Sequence, residues 1–130
     1  KAISWTDSVY RAIQELHPDK RVIIGETGWA TRFNPNKKGP GEQGTLIKGT
    51  VGIEAQKQFL LQLHDWVTRH KVTTFLFEAF DEPWKGGGEQ SGPEEVEKNW
   101  GVFYENRTPK PSFREFVKQL KKHKSNQPIN

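Results

Sequence analysis

Apolar positions recur with helical spacing in three places along the chain. The three stripes comprise Val9, Ile13 and Leu16; Phe59, Leu60, Leu63 and Val67; and Phe113, Phe116, Val117 and Leu120. They predict one helix that ends before Pro18, a second within residues 53–70, and a third near the C-terminal end of the sequence. Ser112 and Glu115 have the spacing of a capping box at the start of the third helix, and Pro111 comes just before it.

Two short runs of β-branched and aromatic residues, 21–25 and 72–79, predict strands, and residues 102–104 are compatible with a brief third one. Helices that alternate with strands indicate an α/β fold with a parallel sheet. Two strands cannot form a stable parallel sheet by themselves, so further strands are expected. Because a complete (β/α)₈ TIM barrel takes about 250 residues, we expect residues 1–130 to be a single segment from its C-terminal portion: about the last two βα units plus a preceding helix.

Two long segments, residues 30–50 and 80–100, come after the two predicted strands. Loops of this length are usually functional or disordered, and α/β active sites form where strands end. The segment from Gly39 to Thr45 is rich in glycine but lacks the Gly-Lys-Ser/Thr sequence of a phosphate-binding loop. We therefore interpret it as a flexible wall of a cleft.

The formal net charge of +4 is concentrated near the end of the sequence. The basic side chains there are Lys118, Lys121, Lys122, His123 and Lys124. We interpret residues 118–130 as a solvated basic helix end and tail, and we expect no nucleic-acid partner. The sequence starts without an initiator methionine or a recognisable signal peptide, so we expect a segment of a longer polypeptide. It contains no cysteine and no apolar run of the roughly 20 residues that a membrane span needs.

Glu26 is the strongest candidate for a functional side chain. It ends the apolar run 21–25 and is followed by a glycine and an aromatic residue, Gly28 and Trp29. Functional groups in α/β folds collect at the carboxyl ends of buried parallel strands, which favours an active-site carboxylate. The alternative, a solvated glutamate at the end of a strand, is also compatible with the pattern.

Three segments resemble the family 17 glycoside hydrolases, which are β-1,3-glucanases and related β-glucanosyltransferases. Gly25-Glu26-Thr27-Gly28-Trp29 is similar to the signature around the family's nucleophile on the seventh barrel strand. The segment from Phe77 to Lys85 is similar to the family's eighth strand with the acidic residue and the lysine after it, and Glu97-Lys98-Asn99-Trp100-Gly101-Val102-Phe103 resembles a third block. The three blocks occur in the family's order.

The resemblance implies a retaining double-displacement mechanism, which uses two carboxyl groups about 5–5.5 Å apart. Glu26 would be the nucleophile, and Lys85 would be a nearby cation that an ion pair with Glu97 holds in place. Glu82 would lie at the substrate, and Trp29 and Trp84 would stack on glucosyl rings, whereas we expect Trp100, Phe80 and Trp66 to serve packing. The resemblance implies a β-glucan substrate, no metal or other cofactor, and an extracellular, periplasmic or cell-envelope location.

One part of the family's machinery is missing from this sequence. The family's acid/base glutamate comes after an asparagine on the fourth strand, whereas Asn99 is followed by Trp100 and Asn106 by Arg107. The remaining N-terminal part of the barrel is therefore expected as a partner. The alternative is a non-catalytic glucan-binding or barrel-assembly fragment, and no residue here decides between hydrolysis and transglycosylation.

Overall fold

The computed structural model describes residues 2–35, 49–86 and 91–125. These ranges contain helix α1 (Ala2–Leu16), strand β1 (Ile24–Thr27), helix α2 (Ile53–His70), strand β2 (Thr74–Leu76), a short 3₁₀ helix (Val96–Lys98) and helix α3 (Pro111–Ser125). The order confirms the alternation of helices and strands expected of an α/β fold. The predicted cleft wall from Gly39 to Thr45 and the end of the predicted basic tail lie outside the described residues.

Strands β1 and β2 are parallel neighbours, with Ile24 opposite Thr74 and Thr27 opposite Leu76. The predicted limits of both strands were wrong. Strand β1 begins three residues later and ends two residues later than predicted, so it includes Glu26, and β2 is much shorter than residues 72–79. Only the stretches that face each other form the ladder. A strand at 102–104 does not form, since Phe103 makes isolated bridges with Phe80 and Pro109.

Helix α2 supplies half of the buried hydrophobic residues in the described part of the chain. Phe59, Leu60 and Leu63 are buried on the face that the apolar stripe predicted, and α2 packs against both α3 and α1. The expected packing role of Trp66 is confirmed, because its side chain is 2% exposed. Its indole Nε1–H donates to the Asp7 carboxylate at 2.8 Å and so links α2 to α1.

The apolar stripe of α1 forms a helix as predicted, but it lies on an open face. No residue of α1 is buried among the described residues, and Trp5 and Leu16 are 72% and 76% exposed. Phe75 of β2 and Ile23, just before β1, are also exposed. Large apolar side chains that are exposed together mark a surface that another part of a protein usually covers.

Helix α3 begins two residues earlier than the capping box predicted, since Ser112 as the N-cap would make Phe113 the first helical residue. Pro111 occupies the first helical position, where a missing N–H costs nothing, and the Lys110 carbonyl accepts from Phe113 and Arg114 N–H. The Ser112 hydroxyl donates instead to the side-chain oxygen of buried Gln56 in α2. The capping-box prediction was therefore wrong, since the serine connects two helices.

A fully buried lysine ties the loops after both strands to the start of α3. The Lys110 ammonium lies 2.7 Å from Asp81 Oδ1 and 2.8 Å from Thr31 Oγ1. Asp81 also accepts from Gly101 N–H at 3.0 Å. Burial lowers the pKa of Lys110, although Asp81 opposes this, and burial raises the pKa of Asp81 against the opposing effect of Lys110.

Replacing Lys110 with methionine leaves the Asp81 carboxylate buried without its cation. We expect Lys110→Met to lower the free energy of unfolding by about 3–5 kcal/mol, the usual cost of removing one partner of a buried pair. Urea denaturation monitored by tryptophan fluorescence measures this. Lys118→Met, the same change at an exposed position of α3, should stay within about 0.5 kcal/mol of wild type. Equal effects of the two substitutions would contradict the role of the buried pair.

Candidate active site

Glu26 lies near the carboxyl end of β1, next to the last residue of the strand. Its side chain is exposed and lines a groove of about 290 Å³ between β1 and α1, together with Thr6 and Val9. Within the ranges that the structure describes, the Glu26 side chain makes no hydrogen bond or ion pair, so its expected contact with Lys85 is not formed there. Its role as the nucleophile stays a prediction.

Gly28 allows the ends of the two strands to converge. A Cβ atom at this position would overlap the carbonyl oxygen of Phe77 and would lie 3.3 Å from the Trp100 ring. The Phe77 N–H donates to the Thr27 carbonyl at 2.8 Å, which closes the strand pair just beyond Leu76. Gly28, two residues after Glu26, is therefore required because the two backbones approach each other closely. This approach places the segment after β1 against the segment after β2.

Trp29 is anchored at the rim of this region. Its indole N–H donates to the Thr50 carbonyl at 2.9 Å, and its ring stacks on Phe59 with centroids 5.4 Å apart. The side chain lines a groove of about 760 Å³ that also includes Trp5 and Thr27. One face of the ring is thus occupied by packing, and the predicted contact with a sugar stays a prediction for the remainder of its surface.

Lys85 lies in a cluster of two carboxyl groups and an aromatic ring. Its Nζ is 2.8 Å from Glu78 Oε2, also contacts the Glu82 carboxylate, and lies 4.5 Å from the centre of the Phe77 ring. The turn in which Lys85 N–H donates to the Glu82 carbonyl brings the ammonium back over Glu82. These groups come after the carboxyl end of β2, and β1 is parallel, so they lie at the same edge of the sheet as Glu26.

The predicted pairing of Lys85 with Glu97 was wrong. Glu97 lies on the 3₁₀ helix, and its Cβ atom is close to Gly86. A Cβ atom added at Gly86 would lie 3.3 Å from the Glu97 Cβ atom. In the described part of the chain, the Lys85 ammonium contacts Glu78 and Glu82 and not Glu97. Glu82 is thus brought together with Lys85, and Glu97 lies beside this cluster without joining it.

Glu78 is the member that sequence reasoning left without a role. Burial raises the pKa of Glu78 to about 7, with a smaller raising effect from the Glu82 carboxyl and an opposing effect from Lys85. The hydrogen bond with Lys85 lowers the pKa of Glu82. Burial lowers the pKa of Lys85, but the two carboxyl groups outweigh it and raise that pKa. The available signal was a carboxylate inside an otherwise apolar, aromatic run.

The aromatic candidates differ in exposure. Trp84 is 66% exposed, and its ring is therefore accessible to a ligand. Trp100 packs edge-on against Phe77 at 6.1 Å, and its indole N–H is buried without an acceptor among the described residues. Phe80 packs on Phe103 at 5.5 Å, although it is partly exposed.

Neither a metal-binding cluster nor a membrane-spanning helix occurs in the described part of the chain. In residues 2–35, 49–86 and 91–125, no three or more His, Asp or Glu side chains are grouped so that they could hold a metal ion. No helix in the same ranges has the length and apolar character to cross a membrane.

Comparison with known proteins gives consistent matches. The model of the BtgE/BtgC glycoside hydrolase domain matches residues 1–101. A glucan 1,3-beta-glucosidase of Saccharomyces cerevisiae is 32% identical over 110 residues, which is 77% of this chain and 30% of that protein. The chain thus spans less than a third of that relative.

Solved structures agree with the sequence matches. An endo-laminarinase from Formosa Hel1_33_131 has a TM-score of 0.66 at 29% identity, over 92% of this chain and 28% of that one. A glycoside hydrolase family 17 β-1,3-glucanosyltransferase from Rhizomucor miehei has a TM-score of 0.64 at 25% identity, over 84% of this chain and 34% of that one. On the domain model that matches residues 1–101 and the similarity to a glucan 1,3-beta-glucosidase and to a family 17 structure, the chain belongs to glycoside hydrolase family 17.

Proposed function

We propose that this chain supplies the nucleophile of a retaining enzyme that hydrolyses β-1,3-glucan or transfers its glucosyl units. The observation that carries the proposal is the position of Glu26 at the carboxyl end of β1, at the same edge of the sheet as the Glu78–Glu82–Lys85 cluster. Carboxyl ends of parallel strands are where barrel enzymes collect their reactive groups. The relatives' activities on β-1,3-glucan give the substrate class.

In this proposal the chain forms the last two βα units of a (β/α)₈ barrel. The support is threefold: the pair of strands is parallel, α1 and the strands leave apolar side chains exposed, and this chain covers only 34% and 28% of the two similar solved chains. Further strands on both sides of the pair would cover Trp5, Leu16 and Phe75. The remaining part of the barrel would also bring the acid/base carboxyl to within about 5–5.5 Å of Glu26.

The reaction then runs in two displacements. The Glu26 carboxylate attacks the anomeric carbon, a C–O ester bond forms, and the glycosidic C–O bond breaks as the acid/base group protonates the departing oxygen. In the second step, water or a sugar hydroxyl gives its proton to the same acid/base group and attacks the anomeric carbon, which releases Glu26. Water yields hydrolysis, and a sugar hydroxyl yields transfer.

The groups after β2 would bind the sugar. The Lys85 ammonium and the Glu82 carboxylate present a donor and an acceptor to sugar hydroxyls, and Glu97 lies beside them at Gly86. The exposed Trp84 ring, and the free surface of Trp29, would stack on the CH-rich faces of glucosyl rings. An extracellular, periplasmic or cell-envelope location of the protein is part of the same proposal.

Replacing Glu26 with glutamine removes the nucleophile but keeps its shape. We expect kcat/KM on laminari-oligosaccharides to fall by roughly 10⁴-fold or more in the full-length protein that carries this chain, because no covalent intermediate forms. Glu54→Gln, the same change on the exposed surface of α2, should keep wild-type turnover. In Glu26→Ala, added azide should yield the glycosyl azide from an aryl β-glucoside. Undiminished turnover by Glu26→Gln would overturn the assignment.

Truncation of Trp84 tests sugar stacking. Trp84→Ala should raise KM for laminari-oligosaccharides about 3- to 10-fold and change kcat little, since a lost stacking contact weakens binding by about 0.5–1.5 kcal/mol. Trp84→Phe, which keeps an aromatic plane, should lie between the two. Steady-state kinetics at several chain lengths measures both values, and an unchanged KM in Trp84→Ala would contradict the contact.

The second candidate function is a fragment that binds glucan or assembles a barrel without turnover. Its supporting observations are the missing acid/base residue and the absence, among the described residues, of any partner for Glu26. A general acid contributes about 10²–10⁴-fold, so residues 1–130 alone should hydrolyse laminarin at least about 10²-fold more slowly than the full-length protein. Equal rates, measured as released reducing ends, would rule out a catalytic requirement for the rest of the barrel.

A further inference from the structure

Glu78 is held rigidly where β2 ends, at the base of the Lys85 cluster. Its side chain is 12% exposed, and Oε2 accepts from Lys85 Nζ at 2.8 Å. Its backbone N–H and C=O are bonded to the Trp100 carbonyl and the Val102 N–H. Its second oxygen, Oε1, is buried and has no hydrogen-bond partner among the described residues. A largely buried carboxyl group with one buried, unsatisfied oxygen requires an explanation.

We propose that Glu78 is a positioning residue that holds a proton beside the Glu82 carboxylate and thereby fixes the Lys85 ammonium against the Phe77 ring. This inference rests on the proposed function, in which Lys85 and Glu82 contact the glucan. It assigns Glu78 no contact with the reacting atoms. Glu78 keeps the Lys85 ammonium in a fixed position and keeps the net charge of the Glu78–Glu82–Lys85 cluster at zero.

The charges around Glu78 favour the proton. Two ionised carboxylates on one ammonium would leave a net charge of −1 in a partly buried site, which is unfavourable. With a proton on Glu78, the ionised Glu82 and Lys85 neutralise each other. Asp81 and Lys110 on this side already neutralise each other. The other charged groups nearby are Arg32, which acts on both of them, and Glu95 and Glu97, which lie against Gly86.

The pKa values of the two carboxyl groups differ in the direction that places the proton on Glu78. The more buried Glu78 has the pKa that is raised to about 7, whereas the pKa of the more exposed Glu82 is lowered, chiefly by Lys85. A protonated Glu78 can donate to the ionised Glu82. Around neutral pH the proton leaves, the cluster gains a negative charge, and Lys85 is pulled between two carboxylates.

The sign of the effect on stability is set by the raised pKa. An unfolded chain releases the Glu78 proton near pH 4.5, whereas the folded chain holds it until about pH 7. The stabilisation is therefore fully present below about pH 4.5 and is lost as the pH rises through 7. Glutamine has the shape of the protonated side chain and does not titrate, so Glu78→Gln should lack this loss.

Thermal unfolding from pH 5 to pH 8 tests the proton without any glucan. The Tm of Glu78→Gln minus that of wild type should rise from pH 5 to about pH 7, the range between the pKa values of the unfolded and the folded chain, and should level off above it. Glu115→Gln, the same substitution at an exposed position of α3, should give a constant difference. A constant difference for Glu78→Gln as well would overturn the shared proton.

Kinetics of the full-length protein on laminari-oligosaccharides tests the positioning role. At pH 5.5 Glu78→Gln should have kcat/KM within about twofold of wild type, and the two should diverge by roughly threefold or more at pH 8, mainly through KM. Glu78→Asp should raise KM at every pH, because its carboxyl is one methylene short of Lys85, and should keep a step near neutrality. Parallel pH profiles of wild type and Glu78→Gln would overturn the role of Glu78.

The two arms also separate this inference from the proposed function. If Glu26→Gln abolishes turnover but neither arm responds to Glu78→Gln, the inference about Glu78 fails and the proposed function stands. If the wild-type protein neither binds nor turns over β-1,3-glucan, the proposed function fails. The sugar-binding role of Lys85 then falls with it, whatever the thermal arm reports about the proton.

Discussion

The buried Lys110–Asp81 ion pair is the interaction on which the arrangement of the candidate site depends. The two strands are four and three residues long, which is too little to fix the loops after them. Lys110 reaches Thr31 beyond β1 and Asp81 beyond β2, and Asp81 binds the backbone at Gly101. A single cation without access to water therefore sets the relative positions of the segments that carry Trp29, Lys85 and Trp100.

Much of the secondary structure could be predicted from the sequence, because helical periodicity is a local property. The apolar stripes give the three described α-helices, and Glu26 was correctly placed close to the end of a strand. The strand limits could not be predicted, since a parallel ladder extends only as far as its partner does. Strand β2 ends at Leu76 because the backbone beyond it pairs with another segment: Phe80 forms a bridge with Phe103, a residue far away in sequence.

The sequence predicted which residues belong to the candidate site better than it predicted which of them contact each other. Glu82 and Lys85 could be selected by family resemblance, but the partner of Lys85 depends on a turn and on how deeply Glu78 is buried. Lys110 had no distinguishing signal: a lysine between two prolines is typical of an exposed loop, yet this one is fully buried. The hydrogen bond between Ser112 and Gln56 could not be predicted either, because it joins two helices that are far apart in sequence.

The open apolar face formed by α1 and Ile23 has a consequence for how this chain behaves in solution. Water-exposed indole, isoleucine and leucine side chains, together with strand edges that have no partner among the described residues, favour self-association, because both hydrophobic contact and strand addition are available to a second molecule. The concentration at which the isolated chain stays monodisperse is thus limited by this face. Molecular chaperones that recognise exposed apolar segments would compete for the same surface while the polypeptide is being synthesised.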